Sequence, residues 1–308
     1  MKHPNLSRRR WLATTALTTV LAACSTAPPV APPTAPTLPP GTPPAPPRPP
    51  VPPRVGLALG GGAARGFAHI GVIQVLEEAG LKPDLVAGTS AGSLVAALYA
   101  SGLSGVELTR LAHQMDEGAL TDWAFPGRGL LRGEALARFV REHTGGKLIE
   151  HMRLPLGIVA TDLDSGEPIL FRSGDTAAAV RASSAVPAVF QPVAISGREY
   201  VDGGLVSPVP VRFARQMGAT LVVAVDISQA PEGAATGDPF KMLLQTFSIM
   251  GKSINRFELR DADVVLRPAL AGMAGSDFKS RERAIAAGRQ VALQMLPALR
   301  RRIQELTR

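Results

Sequence analysis

A serine and an aspartate, each set among glycines, are the residues whose types and spacing suit acyl-transfer chemistry. Gly88-Thr89-Ser90-Ala91-Gly92 has a glycine two positions to either side of the serine. That G-x-S-x-G spacing lets the backbone turn sharply and leaves the hydroxyl standing above a sheet, as a nucleophile requires. The apolar Leu85-Val86-Ala87 precedes it and a small-residue helix from Ser93 to Ala100 follows, which aims the positive end of a helix dipole at the serine. A serine needs a base, and the usual order in α/β-hydrolases is serine, acid, histidine. The five histidines are His3, His69, His113, His143 and His151, so none follows the best acid, Asp202, and the base is sought among carboxylates. Asp202-Gly203-Gly204 places a carboxylate in a tight turn after Glu199-Tyr200-Val201, where it can approach another loop closely. To take a serine proton without an imidazole it must be partly desolvated, so Asp202 is expected to be shielded from bulk water. The tetrahedral intermediate also needs hydrogen-bond donors. Gly60-Gly61-Gly62-Ala63-Ala64-Arg65-Gly66 supplies a loop of exposed amides at a helix N-terminus, in which Arg65 either anchors the loop or attracts a phosphate-bearing substrate.

These residues need a scaffold of alternating strands and helices. Val55 to Leu59 is a short apolar run ending in glycines, and a helical pattern then runs through Ile70, Val72, Ile73, Val75 and Leu76 to the stop at Gly80. The same strand, turn, helix order recurs around Ser90, which predicts a mostly parallel sheet. Further strands are predicted at Leu156 to Ala160, Pro168 to Phe171, Pro192 to Ile195 and Leu221 to Asp226, with helices at Glu134 to Glu142 and within Leu205 to Met217. Arg281 to Leu306 reads as one long docking helix, interrupted near Pro297, with arginines on its solvated faces. With no internal repeat and no second linker, residues 54–308 are predicted to form one α/β domain.

The start of the chain has a different character. Lys2, Arg8, Arg9 and Arg10 form a basic region before an apolar run from Trp11 to Ala23, too short to span a bilayer, so residues 1–23 read as an export signal. Leu21-Ala22-Ala23-Cys24 matches a bacterial lipobox, and Cys24 is the only cysteine in the chain, so lipidation of its thiol is expected. Ser7-Arg8-Arg9-Arg10-Trp11-Leu12 also resembles a twin-arginine signal, with plain Sec export the alternative. Ser25 after the cysteine resembles outer-membrane lipoproteins, which implies an envelope protein facing the periplasm. From Ala27 to Pro53 proline dominates with Ala and Thr, so residues 24–53 read as a lipidated cysteine followed by a stiff, extended spacer. The formal net charge of +8 falls to about +4 when the four cations of the signal leave, a modest basic surplus that suits anionic headgroups.

The ordered set of glycine loop 60–66, Gly88-Thr89-Ser90-Ala91-Gly92 and Asp202-Gly203-Gly204 resembles the patatin-like phospholipase family, in particular its bacterial branch related to neuropathy target esterase. Ala160-Thr161-Asp162 and Ser183-Ser184-Ala185-Val186-Pro187-Ala188-Val189-Phe190 support the resemblance, which covers about residues 54–290 with a core near 56–215. It implies a three-layer α/β fold with a mostly parallel central sheet and a Ser-Asp dyad. It further implies that Ser90 is acylated, that Asp202 is the general base, and that amides around Gly61, Gly62 and Ala63 hold the oxyanion before water releases a fatty acid. The substrate class that the resemblance implies is a lipid ester, phospholipid or lysophospholipid; no metal, organic cofactor or nucleic-acid partner is implied. Ala63 departs from the family loop, which has a glycine there, and its methyl group would strain a positive φ.

Two other classes compete with this reading. A glycine loop between strand and helix with Asp84 downstream imitates a dinucleotide fingerprint, but its glycine spacing is wrong and it leaves Ser90 and Asp202 unexplained. A catalytically silent lipoprotein that binds lipid or an envelope protein on the same fold is the second. His69 is assigned to support of the first helix, Asp162 and Asp164 to a loop, and Gly251-Lys252-Ser253 lacks the upstream glycine of a phosphate loop.

Overall fold

The computed structural model describes residues 51–115, 122, 128–228 and 238–307. In chain order the elements are β1 (Val55–Leu59), α1 (Phe67–Glu78), β2 (Leu85–Thr89), α2 (Ala91–Ser101), α3 (Gly105–Gln114), β3 (Gly129–Leu131), α4 (Glu134–His143), β4 (Leu156–Asp162), β5 (Pro168–Phe171), α5 (Thr176–Ser183), β6 (Ala188–Phe190), β7 (Val193–Ile195), β8 (Arg198–Asp202), α6 (Val211–Gln216), β9 (Leu221–Val225), α7 (Pro239–Glu258), β10 (Val264–Leu266) and α8 (Arg281–Leu306). The sheet is eight-stranded in the order β10-β9-β1-β2-β4-β8-β7, with β5 also on β4, and β3 and β6 form a separate pair. The run from β10 to β4 is parallel, whereas β5, β8 and β7 pair antiparallel, so the mostly parallel sheet expected from the sequence is the one found.

The central strands are apolar throughout because both faces are covered. Leu57, Leu59, Val86, Leu156, Ile158 and Val223 point to a core shared with α1, α2 and α8, while Ala58, Leu85, Ala87, Val222 and Ala224 point to a smaller core with α6. Helix, sheet and helix thus form three layers. Helices α1 and α8 cross at backbone contact: a Cβ on Gly288 would stand 1.9 Å from the Ala68 carbonyl oxygen, and one on Gly71 2.0 Å from that of Ile285.

Several elements depart from expectation. Helix α8 continues through Pro297 without interruption, because the hydrogen bond that proline removes would end at Leu293, a half-exposed position where water can take up the carbonyl. Its arginines are not merely solvated: Arg281 donates to the carbonyls of Ala112, Met115 and Phe278 and so terminates α3, while Arg289 pairs with Glu78 and Arg302 with Asp263. Helix α3 is announced by a capping box in which the Ser104 amide donates to Glu107 at 2.7 Å and the Glu107 amide to the Ser104 hydroxyl at 3.3 Å. Among the described residues no helix is long and apolar enough to cross a membrane.

Candidate active site

Strand β4 brings the serine and the aspartate together. Residues Val86 to Thr89 of β2 pair with Leu156 to Val159, and β8 then pairs Asp202 with Ala160 and Val201 with Thr161. The opposite edge of Ile158 to Thr161 is taken by β5, so β2 and β8 share one edge of β4 and meet end to end. Thr89 is registered on Val159 and Asp202 on its neighbour Ala160, which fixes Ser90 and Asp202 at the junction whatever their separation in sequence. The Thr161 hydroxyl donates to the Asp202 carbonyl at 2.8 Å and the Thr89 hydroxyl to the Ser207 carbonyl at 2.9 Å, tying both strand ends to the same loop.

Ser90 sits at φ 52° and ψ −125° immediately before α2, a backbone state that L-residues rarely adopt. Close packing imposes it. A Cβ on Gly92 would lie 2.1 Å from the Leu59 carbonyl oxygen, so α2 abuts the end of β1 and the chain must reverse within one residue. The Ser90 amide donates to the Ser183 hydroxyl at 2.9 Å, which in turn donates to the Val159 carbonyl at 2.5 Å. The Ser90 carbonyl accepts from the amide and hydroxyl of Ser93. Backbone on both sides of the nucleophile candidate is therefore pinned, and only its hydroxyl is left to move.

Asp202 is 6% exposed, as the sequence argument required. Its Oδ1 accepts the Gly204 amide at 2.6 Å, while Oδ2 is buried without a completed hydrogen bond. Burial pushes the carboxyl up from 3.8 to about 6, and the facing Ser90 hydroxyl and the Gly204 amide draw it back only in part. The Ser90 contact is thus felt by the carboxylate but not closed to hydrogen-bond geometry, the open state common before substrate binds. A basic oxygen that accepts no completed hydrogen bond beside a serine hydroxyl can accept that proton.

The glycine loop lies against the serine. A Cβ on Gly61 would stand 3.0 Å from Ser90 Cβ and 3.8 Å from Ser90 Oγ, a distance only a glycine leaves open. The Gly61 amide donates to the Pro208 carbonyl at 2.9 Å and the Gly60 amide to Val225 at 3.1 Å, so the expectation that Gly61 offers its amide to an oxyanion is corrected: Gly61 shapes the loop. Among the described residues the amides of Gly62 and Ala63 meet no protein acceptor, nor does that of Ala91 at the first turn of α2. Ala63 does take a positive φ, 50°, so the strain foreseen for it is present, and its exposed methyl faces Gly275, which has no side chain to meet it. Arg65 is an anchor: buried, it donates Nε–H to the Ile227 carbonyl at 3.0 Å and reaches Met273 at 3.4 Å. Gly66 lets α1 approach Ala91, and Gly88 and Gly203 lie against backbone at the same junction.

His69 is fully buried with Nε2 2.8 Å from the Gly60 carbonyl, and burial lowers its pKa to about 4, so it stays neutral and holds the loop. Asp162 is corrected from a loop residue to the last residue of β4, 1% exposed, where it accepts from the amides of Asp164 and Ser165 and where Arg198, with Ser165, holds its carboxyl near 2. Asp84 accepts the Val55 amide at 2.6 Å at the N-terminal ends of β1 and β2, away from the glycine loop, which removes the dinucleotide reading. Gly251-Lys252-Ser253 lies inside α7. Cys24 falls outside the described residues, and among those described no cluster of His, Cys, Asp and Glu suits a metal.

In the sequence Ser183 stands out only as the first residue of the 183–190 segment, and Glu258 does not stand out at all. Glu258, buried at the end of α7, accepts from the Ser207 hydroxyl at 3.0 Å and pairs with Arg212 at 2.9 Å, and so braces the loop after Asp202. No local pattern marks such residues, since their partners are fixed only by the fold.

Comparison with known proteins agrees with this geometry. Residues 57–215 match the family described as patatin-like phospholipase. An uncharacterized NTE family protein of Mycobacterium tuberculosis is 39% identical over 188 residues, covering 59% of this chain and 51% of that protein. A second from the same organism is 31% identical over 271 residues, covering 79% of this chain and 46% of the other. Mouse patatin-like phospholipase domain-containing protein 6 is 34% identical over 186 residues, 58% of this chain and 14% of its own length. The chain therefore spans about half the length of its mycobacterial relatives. Among solved structures, VipD from Legionella pneumophila shares the fold, with a TM-score of 0.54 at 17% identity over 81% of this chain and 68% of that one. The match over residues 57–215 takes in just over half of the sequence and contains the glycine loop, the serine turn and Asp202, so the chain belongs to the patatin-like phospholipase family.

Proposed function

We propose that this protein is a serine hydrolase of lipid carboxylic esters, phospholipid or lysophospholipid, acting through an acyl-Ser90 intermediate with Asp202 as general base. The observation that carries the proposal is the buried Asp202, whose carboxyl is raised to about 6 and whose Oδ2 has no completed hydrogen bond beside the strained Ser90 turn. Ser90 Oγ attacks the ester carbonyl as its proton passes to Asp202. The oxyanion is held by the amides of Gly62 and Ala63, at the start of the 3-10 turn before α1, which meet no acceptor among the described residues. Collapse expels the alcohol portion, which takes the proton from Asp202. Water then gives a proton to the same carboxylate and attacks the acyl ester, releasing the fatty acid and restoring Ser90. A carboxylate near 6 is ionised at neutral pH yet far more basic than a solvated aspartate, which suits it to both transfers.

Treatment of the chain with a fluorophosphonate ester, followed by mass mapping, tests the nucleophile without a choice of substrate. Modification of Ser90, lost in Ser90→Ala, is the expected result. A folded protein that is not labelled overturns the proposal and favours a silent lipid-binding role. On the lipobox at Leu21-Ala22-Ala23-Cys24 we further propose lipid attachment at Cys24 and residence in a bacterial envelope membrane, outer and periplasm-facing. The mass of the mature chain recovered from membranes should correspond to a start at a diacylglyceryl-modified Cys24; an unmodified start rules this out.

A further inference from the structure

Helix α7 turns its apolar side outward. Met242, Ile249, Met250 and Phe257 are 55%, 53%, 43% and 64% exposed, and with Leu243, Thr246 and Ser253 they follow the spacing of a single helix face. The opposite face, with Gly251, Asn255 and Glu258, is buried. Lys241, Lys252 and Arg256 are exposed along one border of the apolar stripe. Glu258, the helix's single acid, is turned inward onto Ser207 and Arg212, so no carboxylate of this helix faces solvent. The C-terminal end leads to a shallow pocket lined by Arg212, Arg215, Arg260 and Arg302 with Asp261 and Asp263. Arg260 lies over the Phe257 ring at 5.2 Å, which joins pocket and stripe. The inner face of α7 rests on the active-site loop, since a Cβ on Gly251 would lie 3.5 Å from Pro208, whose carbonyl holds the Gly61 amide.

We propose that this face of α7 docks on a bilayer that carries anionic headgroups, with the apolar stripe in the acyl boundary and Lys241, Lys252 and Arg256 on the phosphates. The inference deepens the lipid-ester reading and rests on it for its purpose, though the docking itself needs no catalysis. Charge selects the occupant. A second copy of the chain would set the basic border against itself, whereas an anionic surface meets it with opposite charge. Contact between α7 and the Pro208 loop then presents the serine turn to the membrane that holds the substrate.

Because Cys24 is the chain's one cysteine, full-length protein carrying Cys24→Ser and Met250→Cys has a single thiol for an environment-sensitive fluorophore. Vesicles of phosphatidylglycerol and phosphatidylcholine should shift its emission to the blue and render it quenchable by nitroxide lipids, while the same dye on Glu142→Cys, exposed on α4, should stay in water. Lys252→Glu with Arg256→Glu should weaken the response severalfold. In the unlabelled chain, Ile249→Asp with Phe257→Asp should reduce hydrolysis of vesicle phospholipid at least tenfold and leave that of p-nitrophenyl butyrate within twofold. An unchanged emission at position 250, an equal shift at 142, or a concentration-dependent shift without vesicles, which would mark a second copy, overturns docking. Loss of both hydrolytic activities in the parent overturns the enzymatic reading alone, because the emission response does not depend on turnover.

Discussion

Asp202 and His69 are buried within one site region and oppose each other in their response to acid. The Asp202 carboxyl titrates near 6 in the fold against 3.8 when free, so between those values the native state holds a proton that the unfolded chain does not. Stability from this group is greatest below pH 4 and falls as pH rises through 6. His69 titrates near 4 against 6.5, so the stability tied to its neutral form is present above 6.5 and is lost as pH falls towards 4. Each shift is worth about 3 kcal/mol and the two have opposite sign, so they largely cancel in the native protein. Asp202→Asn removes one side of the balance. We expect it to raise stability at pH 7.5 by about 2–3 kcal/mol and to give no gain at pH 4, read from thermal melts at both values. Equal melts for variant and parent at pH 7.5 would mean that the carboxylate is not desolvated. In the parent, kcat/KM for a soluble ester should rise with pH through about 6 as one ionisation. Ser183→Ala should lower kcat about tenfold with KM nearly unchanged, because it frees the Ser90 amide rather than a substrate contact.

At the scale of elements, α1 and α8 cross with glycines at their contact. Gly288→Ala would drive a methyl group into the Ala68 carbonyl, so the helices must separate, and a loss of about 3 kcal/mol or more is expected in urea titration. A change under about 0.5 kcal/mol would show that the crossing is looser than the contact distance implies. The strands and helices around the glycine loop and Ser90 were legible because their periods and turn residues are local. Helix α3 carried a readable signal in Ser104 and Glu107 that the apolar pattern obscured. Helix α7 was missed for a different reason: Phe247 and Ile254 turn partly inward while Met242, Ile249 and Phe257 turn outward, so apolar residues on both sides blur the stripe expected of a core helix. Asp162 was misplaced because a buried acid at a strand end makes sense only once Arg198, from β8, is beside it.

At the scale of the molecule, the types of Ser90 and Asp202 could be read from the chain, but their meeting was implied only by family resemblance and not by any local pattern. It depends on β4 outrunning β2 so that β8 continues along the same edge, a register set by the whole sheet. The site also depends on chain far beyond the family match. Strand β9, outside residues 57–215, pairs with all five residues of β1, and its end supplies the Val225 carbonyl for the Gly60 amide and leads to the Ile227 carbonyl that holds Arg65. Helix α8 covers the face of α1 that carries Ala68, Gly71 and Glu78, where Gly288, Ile285 and Arg289 lie against it. A chain ending at residue 215 keeps Ser90, Asp202 and the glycine loop, yet it has an open edge on β1 and an uncovered helix. We expect such a chain to show no cooperative thermal transition and no fluorophosphonate labelling, while residues 51–308 show both. Labelling of the shorter chain at the rate of the longer would mean that the serine turn and Asp202 suffice to hold the site, and that β9 and α8 serve stability alone.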